Sequence, residues 1–94
     1  MLSQIPFDLS KIKKEDLDNE ILRTAIIAEL DAINLYEQLA SMTENQDLKK
    51  IFLDVAKEEK THVGEFQALL LNSDKEQVAE MEAGKKEVDE ELAE

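Results

Sequence analysis

The feature that most constrains this chain is a pair of apolar seams, each of which carries a carboxylate at a core position. In both seams the residues recur every three or four positions, which is the spacing of one face of an α-helix. The first seam consists of Leu22, Ile26, Glu29, Ile33, Tyr36 and Ala40. The second consists of Leu48, Phe52, Val55, Glu59, His62, Phe66 and Leu69. Two such seams predict two helices that each pack against a partner along this face.

The polar members of the seams form a candidate metal site. Glu59 and His62 are three residues apart, so they lie about one turn from each other on one face of a helix, and His62 is the only histidine. On the other seam, Glu29 lies between Ile26 and Ile33. A carboxylate buried there without a partner is strongly unfavourable unless it becomes neutral, and a bound cation would offset that cost. One Glu on one helix and a Glu-x-x-His on another make half of a di-iron carboxylate site.

Composition favours an all-α domain and limits its partners. The 94 residues include only 2 Gly and 1 Pro and are rich in Lys, Glu, Leu and Ala, which favours helix throughout. No alternating run predicts a strand, and no apolar stretch approaches the roughly 20 residues of a membrane span. The net charge of -12 argues against nucleic-acid binding. Cysteine is absent and the first residues lack the pattern of a signal peptide, so we expect no disulfide and a cytoplasmic protein.

We expect a single domain over residues 1–94, organised in three parts. An N-terminal arm covers residues 1–14, a helical hairpin covers residues 15–72, and a third helix with an acidic tail covers residues 73–94. The connection within the hairpin is very short, which predicts that its two helices are antiparallel. The predicted capping boxes at the starts of the second and third helices are Thr43 with Gln46 and Ser73 with Glu76.

Three helices with two wide apolar seams cannot close a core well, so we predict that two copies complete it. A four-helix site of this kind needs two Glu-x-x-His motifs, whereas the chain has one histidine. In an isologous pair, two copies of Glu29, Glu59 and His62 would meet at the two-fold axis. The pair would then contribute four carboxylates, whose charge matches two divalent ions. Mixed oxygen and imidazole ligands suit iron, with manganese, zinc or calcium as substitutes or at secondary sites.

Two motifs give the sequence a resemblance to a known family. Residues 28–38 read Ala-Glu-Leu-Asp-Ala-Ile-Asn-Leu-Tyr-Glu-Gln, and residues 58–62, which include the glutamate 30 positions after Glu29, read Glu-Glu-Lys-Thr-His. In both motifs, in their separation and in chain length, the sequence resembles the encapsulated ferritins over residues 21–74. The resemblance implies half of a ferritin-like bundle: an antiparallel two-helix hairpin with a shorter third helix, completed by homodimerisation.

The resemblance also implies a function. Pairs of chains would build a di-iron ferroxidase centre at their interface, with two irons per pair, and the dimers would form a ring, typically a decamer. The ring would sit inside an encapsulin nanocompartment in the cytoplasm, oxidise Fe(II) to Fe(III), and leave storage of the mineral to the shell. No cargo-targeting tail follows Glu94, so we expect either a trimmed segment or one part of a fusion with a shell protein.

Individual positions carry over from the family as follows. Glu29, Glu59 and His62 align with the iron ligands, and Tyr36 aligns with a tyrosine beside the centre. Asp31 keeps a carboxylate at a position that the family can use where iron approaches the centre. The position before Glu29 is an alanine here, which departs from that pattern.

Two other functions are compatible with the residues. In the first, the protein is an acidic helical interaction protein whose polar layer fixes the pairing register without metal. Metal bound in stoichiometric amounts at the interface would argue against it. In the second, the protein is a related di-metal enzyme, such as a rubrerythrin-like peroxidase or a manganese catalase, and turnover with peroxide compared with oxygen separates these from a ferroxidase.

Overall fold

The computed structural model describes residues 8–93, and within that range the chain is helical with no strand. Two short 3-10 helices, Leu9–Lys11 and Lys14–Asp16, precede three α-helices. Helix α1 covers Leu17–Met42, α2 covers Gln46–Ser73 and α3 covers Lys75–Leu92. The all-α hairpin with a shorter third helix is therefore confirmed. The first half of the predicted N-terminal arm, residues 1–7, lies outside the described residues.

Helices α1 and α2 form the antiparallel hairpin, and the core lies between them. The core consists of Ile33, Ala40, Ala56 and Leu70. Every residue of the first predicted seam is buried or half-buried, so that seam is the face that α1 turns towards α2. The aromatic rings of Tyr36 and Phe52 stack across the hairpin with centroids 6.2 Å apart and planes at 18°.

The two ends of the second predicted seam are exposed in the single chain. The exposed fractions are 49% for Leu48 and 55% for Leu69, so their packing against a partner stays a prediction. The positions that α2 turns inwards are Ala56, Val63 and Leu70, which are spaced by seven residues. Leu48 and Leu69 belong to a set one position earlier, and one residue rotates a side chain by about 100° around the helix. They therefore lie on an open side of α2.

Both predicted N-caps were wrong. The residue that caps α2 lies two positions after Thr43, and the residue that caps α3 lies one position after Ser73. The carboxamide oxygen of Asn45, and not the Thr43 hydroxyl, caps α2 by accepting hydrogen bonds from the amides of Asp47 and Leu48. Thr43 Oγ1 instead accepts from the amide of Asn45 and shapes the turn. Gln46 does not reach back as a capping box requires, since its side-chain nitrogen donates to the carbonyl of Glu44.

At the second boundary, Ser73 is the last residue of α2, and Asp74 caps α3 by accepting from the amide of Gln77. Ser and Asp are about equally good N-caps, but here the Ser73 hydroxyl donates to Oδ1 of Asn19 and does not cap α3. The predicted Ser73–Glu76 capping box therefore does not form.

Helix α3 extends away from the hairpin. Among the described elements it packs against α2 only, near the elbow at Asp74. The chain is consequently flat and broad, with extents of 47 × 46 × 20 Å. Three apolar residues of α3 are exposed, namely Met81, Val88 and Leu92. No helix among the described residues has the length and apolar character needed to cross a membrane.

The Asn45 cap yields a test of the hairpin turn. We expect Asn45→Ala to lower the free energy of unfolding by about 1 kcal/mol, because two amides at the start of α2 lose their acceptor. Asn45→Ser retains an acceptor and should lie close to the parent. Chemical denaturation at one fixed protein concentration, with a chelator present, measures both. An Asn45→Ala variant as stable as the parent would show that the cap contributes nothing.

Candidate metal centre

Glu29, Glu59 and His62 come together at mid-height in the hairpin. Glu29 projects from α1, and Glu59 and His62 project from α2. The His62 Nδ1 atom lies 3.3 Å from Oε2 of Glu59 and 3.5 Å from Oε2 of Glu29. Each residue offers one ligand atom, and all three atoms lie within 4.8 Å of one another. One cation placed among them could contact all three.

The helices position these side chains through their periodicity and their register. Glu59 and His62 share a face of α2 because they are three residues apart. Seven residues, about 10 Å of helix, separate Glu29 from Tyr36 on α1 and Phe52 from Glu59 on α2. Because the helices are antiparallel and the two rings stack, Glu29 and Glu59 must meet two turns away from them. The aromatic pair thus fixes the register that brings the carboxylates together.

One carboxylate oxygen in this cluster is unsatisfied. Oε2 of Glu29 is shielded from water and has no hydrogen-bond donor. His62 Nδ1 carries at most one proton, and its hydrogen-bonding contact is with Glu59, so it cannot also satisfy Glu29. An unpaired buried acceptor is unfavourable, and for a charged group the cost is larger. A cation is the partner that this oxygen lacks, and the two carboxylates with one imidazole fit iron.

The centre is open on one side. The exposed fractions of the side chains are 20% for Glu29, 18% for Glu59 and 42% for His62. His62 belongs to the seven-residue series Leu48, Val55, His62 and Leu69 on α2. Two of its members, Leu48 and Leu69, are the exposed leucines at the ends of the second predicted seam. The imidazole therefore sits in the middle of an apolar side of α2 that faces outwards.

The other predicted site residues lie outside the three-residue cluster. Tyr36 is half-buried and stacked on Phe52, two turns from Glu29. Sequence reasoning placed Phe52 in the seam but did not identify it as the partner of Tyr36. Asp31 is half-buried on α1 and, being two positions after Glu29, is rotated by about 200° around the helix from it. The acidic neighbour Glu58 is exposed.

The chain matches the rubrerythrin family over residues 20–93. It belongs to this ferritin-like family. Among curated relatives, this rubrerythrin-family chain is similar to a ferritin-like–encapsulin shell fusion protein of Pyrococcus furiosus, with 60% identity over 93 residues. It is also similar to the encapsulin nanocompartment cargo protein EncC of Myxococcus xanthus, with 40% identity over 73 residues. The resemblance to encapsulated ferritins is therefore confirmed.

A solved structure agrees with the fold. The crystal structure of the encapsulated ferritin domain from Pyrococcus furiosus superimposes with a TM-score of 0.82 at 56% identity, covering 96% of this chain and 94% of that one. The rubrerythrin-family chain covers much less of the curated relatives. The matches take in 96% and 74% of this chain but only 27% of the fusion protein and 56% of the cargo protein.

The unsatisfied oxygen of Glu29 predicts a trade-off between stability and metal binding. In metal-free protein, we expect Glu29→Gln to raise the free energy of unfolding by roughly 1 kcal/mol, because it removes the negative charge from a carboxylate whose Oε2 is shielded from water and lacks a donor. Glu58→Gln makes the same charge change at an exposed position and should have little effect. Thermal unfolding with a chelator and with added Fe(II) or Mn(II) measures both states.

Added metal should stabilise the parent and the Glu58→Gln variant but not the Glu29→Gln variant. If Glu29→Gln and Glu58→Gln stabilised the metal-free protein equally, the cause would be the change in net charge and not the environment of Glu29. A less stable metal-free Glu29→Gln variant would mean that the carboxylate is satisfied without metal.

Proposed function

We propose that this protein is a ferroxidase, which oxidises Fe(II) to Fe(III) at a di-iron centre shared by two copies of the chain. The observation that carries the proposal is the convergence of Glu29, Glu59 and His62 within 4.8 Å, with one buried carboxylate oxygen lacking a donor. A Glu on one helix with a Glu-x-x-His on the next is half of the ligand set of the di-iron carboxylate proteins. Membership of the rubrerythrin family supports the same chemistry.

A second copy of the chain would complete the centre. Three ligands from one chain are too few to hold two ions, and the cluster lies at the open side of the hairpin. The exposed Leu48, Ile51 and Leu69 lie along the same side of α2 as His62, where a partner would bury them. An isologous dimer places the same patch on both sides of a two-fold axis, so each ligand is supplied twice. Burial of this apolar side would favour the pair.

The residues of the chain have distinct roles in the proposed reaction. Glu29 and Glu59 would bind iron through anionic oxygens, and these favour the higher charge of Fe(III) over Fe(II). His62 must present a deprotonated Nδ1 to act as a ligand. Bound Fe(II) supplies the electrons, which pass to oxygen or peroxide. The surrounding apolar side chains limit the access of water, and no general base is required.

The relatives suggest where the protein acts. One is a fusion of a ferritin-like segment with an encapsulin shell, and another is an encapsulin cargo protein. The proposal therefore includes a ring of dimers, typically a decamer, inside an encapsulin compartment of the cytoplasm, where the shell would hold the mineral. Tyr36 is assigned a place beside the completed centre, and Asp31 a place on the path by which iron reaches it.

Removal of a ligand tests the activity. Glu29→Ala and His62→Ala should each reduce the rate of Fe(II) oxidation to that of Fe(II) in buffer, because the centre loses a ligand in both halves of the pair. The matched control is Glu58→Ala, which removes an exposed carboxylate beside Glu59 and should keep the parent rate. Absorbance of Fe(III) after mixing with aerated Fe(II) gives the rates. Full activity in either ligand variant would refute the assignment.

Metal content and mass test the shared centre. Native mass spectrometry before and after anaerobic addition of Fe(II) should give two irons per pair of chains and a shift towards larger assemblies, because metal that binds only the assembled form stabilises it. A metal-free monomer that stays monomeric would favour the alternative, in which Glu29, Glu59 and His62 form a polar layer that sets the pairing register.

The oxidant is open to a direct comparison. Because the family is that of rubrerythrin, the same centre could use peroxide. Turnover of Fe(II)-loaded protein with peroxide and with oxygen, at matched concentrations, distinguishes a peroxidase from a ferroxidase. Repeated turnover of peroxide without net accumulation of Fe(III) would overturn the ferroxidase assignment in favour of the related peroxidase.

A further inference from the structure

The direction of α3 is set at a very short elbow. Only Asp74 separates the end of α2 at Ser73 from the start of α3 at Lys75. Packing beyond the elbow is sparse, because α3 approaches α2 alone among the described elements. An open cleft of about 300 Å³ lies in the elbow, lined by Arg23, Ile26, Ile27, Gln67, Leu70, Gln77 and Met81. Since this space is not filled by side chains, apolar packing does not fix the angle between α3 and the hairpin.

Asp74 joins three helices, two of them through its carboxylate and one through its backbone amide. Its Oδ1 atom accepts a hydrogen bond of 3.0 Å from the amide of Gln77 on α3. Its Oδ2 atom accepts from Nη1 of Arg23 on α1 at 3.4 Å. Its own amide donates to the carbonyl of Leu70 on α2 at 2.8 Å. Each oxygen of this carboxylate is therefore committed to a different helix.

A neighbouring hydrogen bond supports the same connection. The Ser73 hydroxyl donates to Oδ1 of Asn19 on α1 at 2.5 Å. The start of α1 is thus tied to the elbow at two points one turn apart, Asn19 and Arg23. The Asn19 contact holds Ser73 at the end of α2, whereas the Arg23 contact holds Asp74, the N-cap of α3.

We propose that the Arg23–Asp74 ion pair is a latch that holds α3 at its angle to the hairpin. This inference is independent of the proposed ferroxidase activity, since none of its residues belongs to the metal cluster. The exposed fractions, 43% for the Arg23 side chain and 20% for that of Asp74, leave the pair accessible to salt. A partly exposed ion pair contributes little to the free energy of unfolding. We therefore expect its main effect to be on the direction in which α3 leaves the hairpin. Without it, α3 remains a capped helix but samples a range of angles.

The chain has no cysteine, which allows the angle to be measured with spin labels. Labels at Lys57→Cys on α2 and Lys86→Cys on α3, both exposed, report the distance across the elbow. Double electron–electron resonance on labelled chains diluted into an excess of unlabelled chains isolates the distance within one chain. In the parent we expect a single sharp distance.

Three substitutions separate the latch from the cap. Asp74→Asn keeps an N-cap oxygen but presents an amide to the guanidinium, so it breaks the latch alone. Arg23→Met removes the charge and retains a long apolar stem along the cleft. The matched control is Lys85→Met, which breaks an ion pair with Asp89 that lies wholly within α3. We expect Asp74→Asn and Arg23→Met to broaden and shift the distance, and Lys85→Met to leave it as in the parent.

Two further measurements make the test decisive. Salt at about 1 M shortens the screening length to roughly 3 Å, so it should broaden the distance in the parent without any substitution. Asp74→Ala removes both latch and cap. A broad distance in Asp74→Ala with parent-like distances in Asp74→Asn and Arg23→Met would assign the angle to the cap and overturn the proposal. Unchanged distances in all variants and at high salt would overturn it as well.

Discussion

A carboxylate oxygen that is shielded from water without a hydrogen-bond donor is the constraint on which the rest of this structure depends. Oε2 of Glu29 is such an atom, and it lies beside a second carboxylate and an imidazole whose single Nδ1 proton cannot serve both. In an otherwise apolar seam this arrangement costs stability, and a cation bound between the two carboxylates would offset that cost.

The hairpin converts two local patterns into this one long-range contact. The turn between α1 and α2 is only three residues long and is fixed by the Asn45 cap and the Thr43 hydroxyl. The stacked rings of Tyr36 and Phe52 then set how far the helices slide past each other. A slip of one turn would separate Glu29 from Glu59 and would also unstack the rings. The same helix register therefore both stacks the aromatic rings and brings Glu29 to Glu59.

The sequence predicted that Glu29, Glu59 and His62 come together because the information needed for this is local and periodic. Glu59 and His62 needed only a three-residue spacing, and Glu29 needed only its place between two isoleucines. It did not predict which face of α2 turns towards α1, because series that differ by one position, such as Leu48 with Leu69 and Ala56 with Leu70, are both apolar. The prediction of the α2 cap failed for a similar reason. Thr43 and Asn45 both carry suitable oxygens, and backbone geometry decides between them.

Other features had no signal in the sequence. The Asp74 carboxylate accepts from Arg23 on α1 as well as from the amide of Gln77 on α3. The first contact depends on where the folded hairpin places Arg23, and no rule of sequence spacing predicts that. The same holds for the unsatisfied oxygen of Glu29, because the absence of a donor is a property of the folded arrangement. Such features arise from contacts between residues far apart in the chain.

The half-exposed position of His62, at the open side of the hairpin, has a genetic consequence in the proposed dimer. Ligands drawn from two copies make each chain a component of its partner's active site. A defective allele would therefore do more than lose its own activity. When it is expressed beside a normal allele, its product would pair with normal chains and inactivate them, so loss of a single ligand is expected to be dominant.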